Sequence, residues 1–74
     1  MKVNNISVQK VDGLFYANRT ELAFYFNVHA SSVSRMITDS TRKLKQDNTE
    51  LLCINDIEKC KNLVDSAEMA CRLS

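Results

Sequence analysis

A chain of 74 residues is long enough for one small domain and too short for most multi-step enzymes. Hydrophobic residues make up 45% of it and charged residues 26%, with one Gly and no Pro, which excludes a disordered tail or a fibre. Its longest apolar runs fall far short of the roughly 20 residues of a membrane span, and the N-terminus lacks an apolar secretory core. We therefore expect a cytoplasmic protein with no membrane partner.

Charge is unevenly distributed along the chain, although the formal net charge is only +1. Residues 1–46 hold seven Lys or Arg against three acids, whereas residues 47–74 hold three against six. A basic first part beside an acidic last part is typical of a protein with one face towards phosphate and another towards solvent or a partner.

The first half of the chain predicts a β-hairpin followed by two helices. Residues 6–17 alternate apolar and polar side chains around Asp12-Gly13, a dipeptide that tolerates the positive φ angles of a tight turn. Asn18 and Glu21 form a capping box, which predicts a helix over about residues 19–26. After Asn27 the apolar pattern resumes and predicts a second helix over about residues 30–38.

The second half predicts another hairpin and a longer helix. Alternation over residues 42–45, a turn at 46–49 and an apolar return strand indicate a hairpin over about residues 42–54. A second capping box at Asn55–Glu58, with apolar residues at spacings of three and four, predicts a helix over about residues 55–71. The predicted fold is one α+β domain over residues 1–74, with three helices, an N-terminal hairpin and a second hairpin.

Residues 19–38 have the features of a helix-turn-helix. Ala23 is small enough for two helices to approach closely, and Asn27 is the best non-glycine residue for a left-handed turn position. Small polar residues at the start of the second helix suit close approach to the DNA major groove, and Arg35 can contact guanine or phosphate. The outward polar positions are His29, Ser31, Ser34, Arg35 and Thr38.

Three short motifs, Glu-Leu-Ala at 21–23, Asn-Val at 27–28 and Ser-Val-Ser-Arg at 32–35, resemble the helix-turn-helix of bacterial and phage regulators. With the second hairpin and the segment Leu-Leu-Cys-Ile-Asn-Asp-Ile-Glu-Lys-Cys at 51–60, the order of elements resembles the MerR-like winged-helix group. That group includes phage excisionases and the DNA-binding domain of the lambda terminase small subunit. The resemblance implies a major-groove helix and a hairpin wing on the backbone or minor groove. By resemblance the DNA contacts are Ser31, Ser32, Ser34 and Arg35 on the helix and Arg42, Lys43 and Lys45 on the wing.

Each candidate contact has a structural alternative. The serines can be solvent-facing helix residues, His29 a surface turn residue, and Arg35 can pair with Asp39 one turn later. The wing cations can protect an edge strand from aggregation, a common use of charged side chains.

Cysteine usage argues against a disulfide framework or a zinc ribbon, and the absence of catalytic motifs argues against an enzyme. The three cysteines are odd in number and form no Cys-x-x-Cys, so we interpret them as core residues, with a zinc site that includes His29 as the alternative. The chain has no nucleophile elbow and no Gly-rich phosphate loop. We expect no catalysis, no cofactor and no metal.

The sequence thus predicts a winged helix-turn-helix protein that binds specific double-stranded DNA as a small phage or mobile-element regulator of the repressor or excisionase type. Its location would be the bacterial cytoplasm or a phage-infected host, and a domain of this size gains stability from a homodimer or a DNA-dependent oligomer. Two alternatives stay open. The fold can serve as a scaffold for an adaptor or inhibitor that binds a protein partner, or the chain can be the DNA-binding part of a terminase small subunit.

Overall fold

A computed structural model describes residues 1–73 as a small α+β domain with three α-helices and two antiparallel sheets. The first half holds two hairpins and two short helices, and the second half a hairpin and a longer helix. In chain order the elements are β1 (Lys2–Val3), β2 (Ile6–Ser7), β3 (Gln9–Val11), β4 (Leu14–Asn18), α1 (Arg19–Phe26), α2 (Ala30–Ser34), β5 (Lys43–Gln46), β6 (Thr49–Cys53) and α3 (Lys61–Leu73). None of the helices within residues 1–73 has the length and apolar character needed to cross a bilayer.

Three two-residue turns connect the hairpins, and both central residues of each turn have positive φ. Asp12-Gly13 joins β3 to β4, and Asp47-Asn48 joins β5 to β6, as the alternating pattern predicts. The third turn, Asn4-Asn5, joins β1 to β2 and was not predicted. Met1 continues this first hairpin, because its amino group donates to the Val8 carbonyl and the Val8 N–H donates back, each at 2.8 Å.

The main sheet has four strands in the order β3-β4-β6-β5, and its two faces differ in what covers them. Phe15, Ala17 and Leu52 point to one face and pack with the buried residues of the helices in the main core. The opposite face carries a second, smaller cluster of Tyr16, Leu51 and Cys53. The rest of the buried main core is Val3, Ile6, Val8, Leu22, Ala23, Val33, Ile54, Ile57, Cys60, Leu63 and Ala67.

The turn after α1 is a complete Schellman motif centred on Asn27. Asn27 has φ 54° and ψ 49°, its N–H donates to the Phe24 carbonyl at 3.2 Å, and the Val28 N–H donates to the Ala23 carbonyl at 3.0 Å. At the other end of α1 the Asn18 side chain accepts from the Glu21 N–H at 2.7 Å, as predicted. The backbone between α1 and α2 is therefore fixed by hydrogen bonds on both sides of one left-handed residue.

Replacing Asn27 with Ala is expected to lower the free energy of unfolding by about 1 kcal/mol, because a side chain with a Cβ and no local hydrogen bond is disfavoured at a left-handed position. Asn27→Gly removes the Cβ and is the matched control, expected to be at least as stable as the wild type. Urea unfolding measures both variants. Equal stability of the Ala and Gly variants would show that the left-handed conformation is not retained.

The second helix is shorter than predicted and ends at Ser34, not at Thr38. Arg35 and Met36 continue the chain with i to i−3 bonds to the carbonyls of Ser32 and Val33. The Thr38 N–H donates to Thr41 Oγ1 at 3.0 Å, and the Thr41 N–H donates to the Thr38 carbonyl. This reciprocal pair uses the Thr38 N–H, which therefore cannot donate to the Ser34 carbonyl. The helix consequently does not extend to Thr38.

The third helix starts at Lys61, six residues later than the predicted start at Asn55. The Asn55 side-chain oxygen accepts the Phe15 N–H at 2.8 Å, and the Asp56 carboxylate binds Arg42, so neither side chain caps a helix. Residues 54–56 and 58–60 form two short 3-10 turns separated by the extended residue Ile57. The Asn55 side chain, the N-cap of the predicted capping box, is used for a tertiary contact instead.

Candidate nucleic-acid interface

The outer side of α2 carries most of the predicted helix contacts. Ser31, Ser34 and Arg35 are exposed and lie at spacings of three and four, so they share one side of the helical turn, while Val33 points into the core. Ser32 is half-buried and does not lie fully on this side. Neither Arg35 nor Asp39 takes part in an ion pair within 4.0 Å among residues 1–73, so the predicted alternative pair is not formed.

His29 is the N-cap of α2. Its Nδ1 accepts from the Ser31 N–H at 3.3 Å and lies 3.1 Å from Ser31 Oγ. A neutral imidazole that accepts at Nδ1 carries its proton on Nε2, so His29 offers an exposed N–H donor at the start of the helix.

Thr38 lies outside α2, in the connection between α2 and β5. Its hydroxyl lies 3.0 Å from Ser40 Oγ and 3.4 Å from Thr41 Oγ1, and Thr41 is buried. The Thr38 side chain is thus part of the local turn that joins α2 to β5, in contrast to the predicted position on an outward helix face.

The two lysines of β5 point to the helix-packed side of the sheet. Lys43 lies opposite Leu52, which belongs to the main core, and Lys45 lies opposite Glu50. Paired residues of an antiparallel ladder project from the same face, and alternate residues of a strand share a face. Lys43 and Lys45 are exposed and take part in no ion pair among residues 1–73, so both ammonium groups are available to an anion.

Arg42 differs from the two lysines because its guanidinium is already bound. Nε and Nη2 of Arg42 donate to the two carboxylate oxygens of Asp56, each at 2.8 Å, and its backbone N–H donates to Asp56 Oδ2 at 3.0 Å. These hydrogen bonds hold the pKa of the Asp56 carboxyl well below its usual range and raise the pKa of Arg42. The predicted wing contact Arg42 is therefore engaged in a bidentate pair that joins the start of β5 to the first 3-10 turn.

The Arg42–Asp56 pair makes stability depend on pH in the acid range. Because the pKa of Asp56 is lowered on folding, the pair stabilises the fold above the ordinary Asp pKa of about 3.9, and this contribution is lost as the pH falls. We expect the difference in unfolding free energy between the wild type and Asp56→Asn to shrink between about pH 5 and pH 2. Urea unfolding at several pH values checks this, and a difference that does not change with pH would contradict it.

One further charged side chain, Arg19, is paired with the β5–β6 hairpin. Arg19, at the first position of α1, lies with Nη2 at 3.4 Å from Glu50 Oε1. Glu50 in turn lies opposite Lys45, so one carboxylate sits between two cations on the helix-packed side of the sheet. This acid partly offsets the positive charge beside Lys45.

The cysteines do not form a metal site. Cys53 and Cys60 are buried and Cys71 is half-buried, and burial raises the pKa of the Cys60 thiol to about 11. Within residues 1–73 no group of three His, Cys, Asp or Glu side chains is placed to hold a metal ion. The alternative zinc site with His29 is not assembled.

A surface hollow of about 370 Å³ lies away from these contacts, between the β3–β4 hairpin and α3. It contains none of the predicted contact residues. It is lined by Lys10, Gly13, Phe15, Glu68, Cys71 and Arg72.

Comparison with known proteins returns no relative. No family model, no curated protein and no solved structure matches the chain.

Proposed function

We propose that this chain is a winged helix-turn-helix protein that binds specific double-stranded DNA and regulates by occupying its site, as repressors and excisionases of phages and mobile elements do. The observation that carries the proposal is the α1–α2 unit. A Schellman turn at Asn27 fixes α2 on the core through Val33, and the outer side of α2 presents small polar side chains and Arg35, which forms no ion pair within residues 1–73.

The helix and the β5–β6 hairpin have different roles in this proposal. Ser31 and Ser34 leave room for the backbone of α2 to approach base edges, and Arg35 makes a bidentate contact to guanine worth about 1 to 3 kcal/mol of discrimination. Lys43 and Lys45 of β5, the wing, neutralise phosphates and supply affinity without sequence preference. His29 donates a hydrogen bond from its Nε2–H group to a phosphate or a base acceptor.

The test begins with selection from a randomised double-stranded DNA pool, followed by fluorescence anisotropy at several salt concentrations. We expect an enriched motif, and affinity that falls with salt with a log–log slope of about −2 to −3 for two or three phosphate contacts. No enrichment, or no binding at low salt, would reject the proposal.

Arg35→Ala separates base recognition from phosphate binding. It is expected to lower affinity for the selected DNA by about 1 to 3 kcal/mol while changing affinity for random DNA much less. Lys43→Ala is the matched control, expected to weaken both DNAs equally and to reduce the salt slope by about 1. Equal losses on both DNAs for the two variants would contradict the role given to Arg35.

Bending distinguishes the two kinds of regulator. Excisionase action requires bent DNA, whereas simple repression by occupancy does not. A circular-permutation gel shift with the selected DNA measures the bend directly. A straight complex would leave repression as the mode of action.

An exposed aromatic side chain favours a second candidate function, binding of a protein partner on the same scaffold. Phe24 on α1 is 67% exposed, and Val28, two residues beyond the end of α1, is 39% exposed. Exposed apolar side chains at this end of α1 suit a protein contact. If this candidate is right, a pulldown from host lysate recovers one stoichiometric partner. The Phe24→Ser variant no longer binds this partner, whereas the Arg35→Ala variant still does. Selection from the random DNA pool then enriches no motif.

A further inference from the structure

Residues 1–73 contain two arginine–carboxylate pairs, and the two differ in geometry. Arg42 and Asp56 share two hydrogen bonds of 2.8 Å, and the Arg42 backbone N–H donates a third to the same carboxylate. Arg19 approaches Glu50 with one nitrogen only, at 3.4 Å, and the side chains of this pair are 37% and 45% exposed. An exposed ion pair with a single contact contributes little to stability. The Arg19–Glu50 pair can therefore exchange its partner, whereas the Arg42–Asp56 pair is part of the fold.

The guanidinium of Arg19 is poorly satisfied in its pair with Glu50. A guanidinium carries five N–H donors in a planar fork, which fits two acceptor oxygens at once. The Arg19 Nε is buried and has no hydrogen-bond partner among the described residues 1–73. A buried donor without a partner costs free energy, and a carboxylate or phosphate that binds the fork bidentately removes this cost. Arg19 thus has donors left for an anion that binds it better than Glu50 does.

Arg19 lies beside the cations of the wing. It is the first residue of α1 and directly follows β4, where Asn18 lies opposite Leu51 of β6. The next position in this antiparallel register brings Arg19 to Glu50, and Glu50 lies opposite Lys45 of β5. One carboxylate is therefore flanked by a cation on each side. A carboxylate at this place attracts both cations and repels a phosphate.

We propose that Arg19 is a phosphate-binding residue of the candidate nucleic-acid interface, and that Glu50 occupies its guanidinium in the free protein in place of a phosphate. This inference rests on the proposed DNA binding and adds a contact and a competitor to it. When DNA binds, a backbone phosphate replaces the Glu50 carboxylate at Arg19. The arginine that contacts phosphate beside the wing is then Arg19, since Arg42 is held by Asp56. Because phosphates carry no sequence information, Glu50 lowers affinity for all DNA equally.

Glu50→Gln tests the competitor. It is expected to raise affinity for selected and random DNA alike by about 3- to 10-fold, because a unit charge about 4 Å from a phosphate is worth roughly fivefold in water. The log–log salt slope should become steeper by up to about 1, since one more phosphate is neutralised. Glu68→Gln removes the same charge from an exposed position of α3 and is the matched control. Its affinity is expected to change by less than about twofold, because salt screens a distant charge.

A double-mutant cycle tests the contact itself. Arg19→Ala is expected to weaken binding to both DNAs by about 3- to 10-fold and to remove most of the gain from Glu50→Gln. In a Lys45→Ala background the gain from Glu50→Gln should persist. An equal gain with and without Arg19 would mean that Glu50 acts by general repulsion, which overturns the role given to Arg19. A gain that only Lys45→Ala removes would assign the exchange to Lys45.

Urea unfolding without DNA tests the exchangeable pair independently of the proposed function. Glu50→Gln is expected to shift the unfolding midpoint much less than Asp56→Asn does, because the Arg19–Glu50 pair is exposed and has one long contact. Equal shifts would make the pair a structural one and overturn the inference, and circular dichroism checks that each variant is folded. Wild-type DNA binding that Glu50→Gln leaves unchanged rejects this inference alone. Absence of DNA binding in every variant rejects the proposed function as well.

Discussion

Reversing the charge of Lys43 and Lys45 together, as Lys43→Glu with Lys45→Glu, is expected to lower affinity for double-stranded DNA by about 2 to 3 kcal/mol, roughly 30- to 150-fold. Both ammonium groups are exposed and on one side of β5, and neither forms an ion pair with the described residues 1–73. A unit charge about 4 Å from a phosphate gains about 1 kcal/mol in water, so reversal changes each contact by about 2 kcal/mol before salt screening. Anisotropy with selected and random DNA measures the loss.

The control for this prediction reverses the same number of charges elsewhere. Lys59 is exposed in the second 3-10 turn and Lys61 is exposed at the first position of α3, and Lys59→Glu with Lys61→Glu gives an identical change in net charge. We expect this variant to lose much less affinity. A similar loss for both double variants would mean that net charge, and not the wing, governs binding.

Truncation of Leu22 to Ala is expected to lower the free energy of unfolding by about 3 kcal/mol. Leu22 lies on α1, is fully buried, and belongs to the main core. Fully buried Leu→Ala changes cost about 2 to 5 kcal/mol because a cavity remains, and a chain of this length has roughly 4 to 11 kcal/mol of stability in total. The variant should therefore be marginally folded, and its DNA affinity should fall with the folded fraction.

Leu73→Ala provides the matched comparison, since Leu73 is 81% exposed at the end of α3. Its unfolding free energy should stay within about 0.5 kcal/mol of the wild type. Urea unfolding with a common m-value measures both variants. A loss of less than about 1 kcal/mol for Leu22→Ala would show that α1 is not held in the core as described.

Most of the local structure is predictable because short-range chemistry decides it. Asp12-Gly13 tolerates positive φ at both positions, the Asn18 side chain caps the helix that follows it, and Asn27 accepts the left-handed conformation. Each of these features depends on residues within four positions of one another. The Asn4-Asn5 turn has the same kind of signal, because two consecutive Asn residues both tolerate the positive φ angles that they adopt here.

The candidate site was predictable in part. The exposed serines and Arg35 follow from helical spacing, and the exposure of Lys43 and Lys45 follows from strand alternation. The side of the sheet on which the two lysines project depends on the pairing of β5 with β6 and of β6 with β4. The resemblance implies a DNA contact at Arg42, and no local signal in the sequence indicates its pair with Asp56, which is 14 residues away.

The sequence by itself determined the hairpin turns, the caps of α1 and the polar outer side of α2, because backbone preference and neighbouring side chains decide these features. Only the tertiary structure decided where α3 begins. Asn55 and Asp56 can cap a helix locally, but the Asn55 oxygen is directed to the Phe15 N–H of β4 and the Asp56 carboxylate to Arg42, so neither side chain caps a helix. It also decided that Tyr16, Leu51 and Cys53 form one buried cluster, since that cluster depends on strands that are distant in sequence lying side by side.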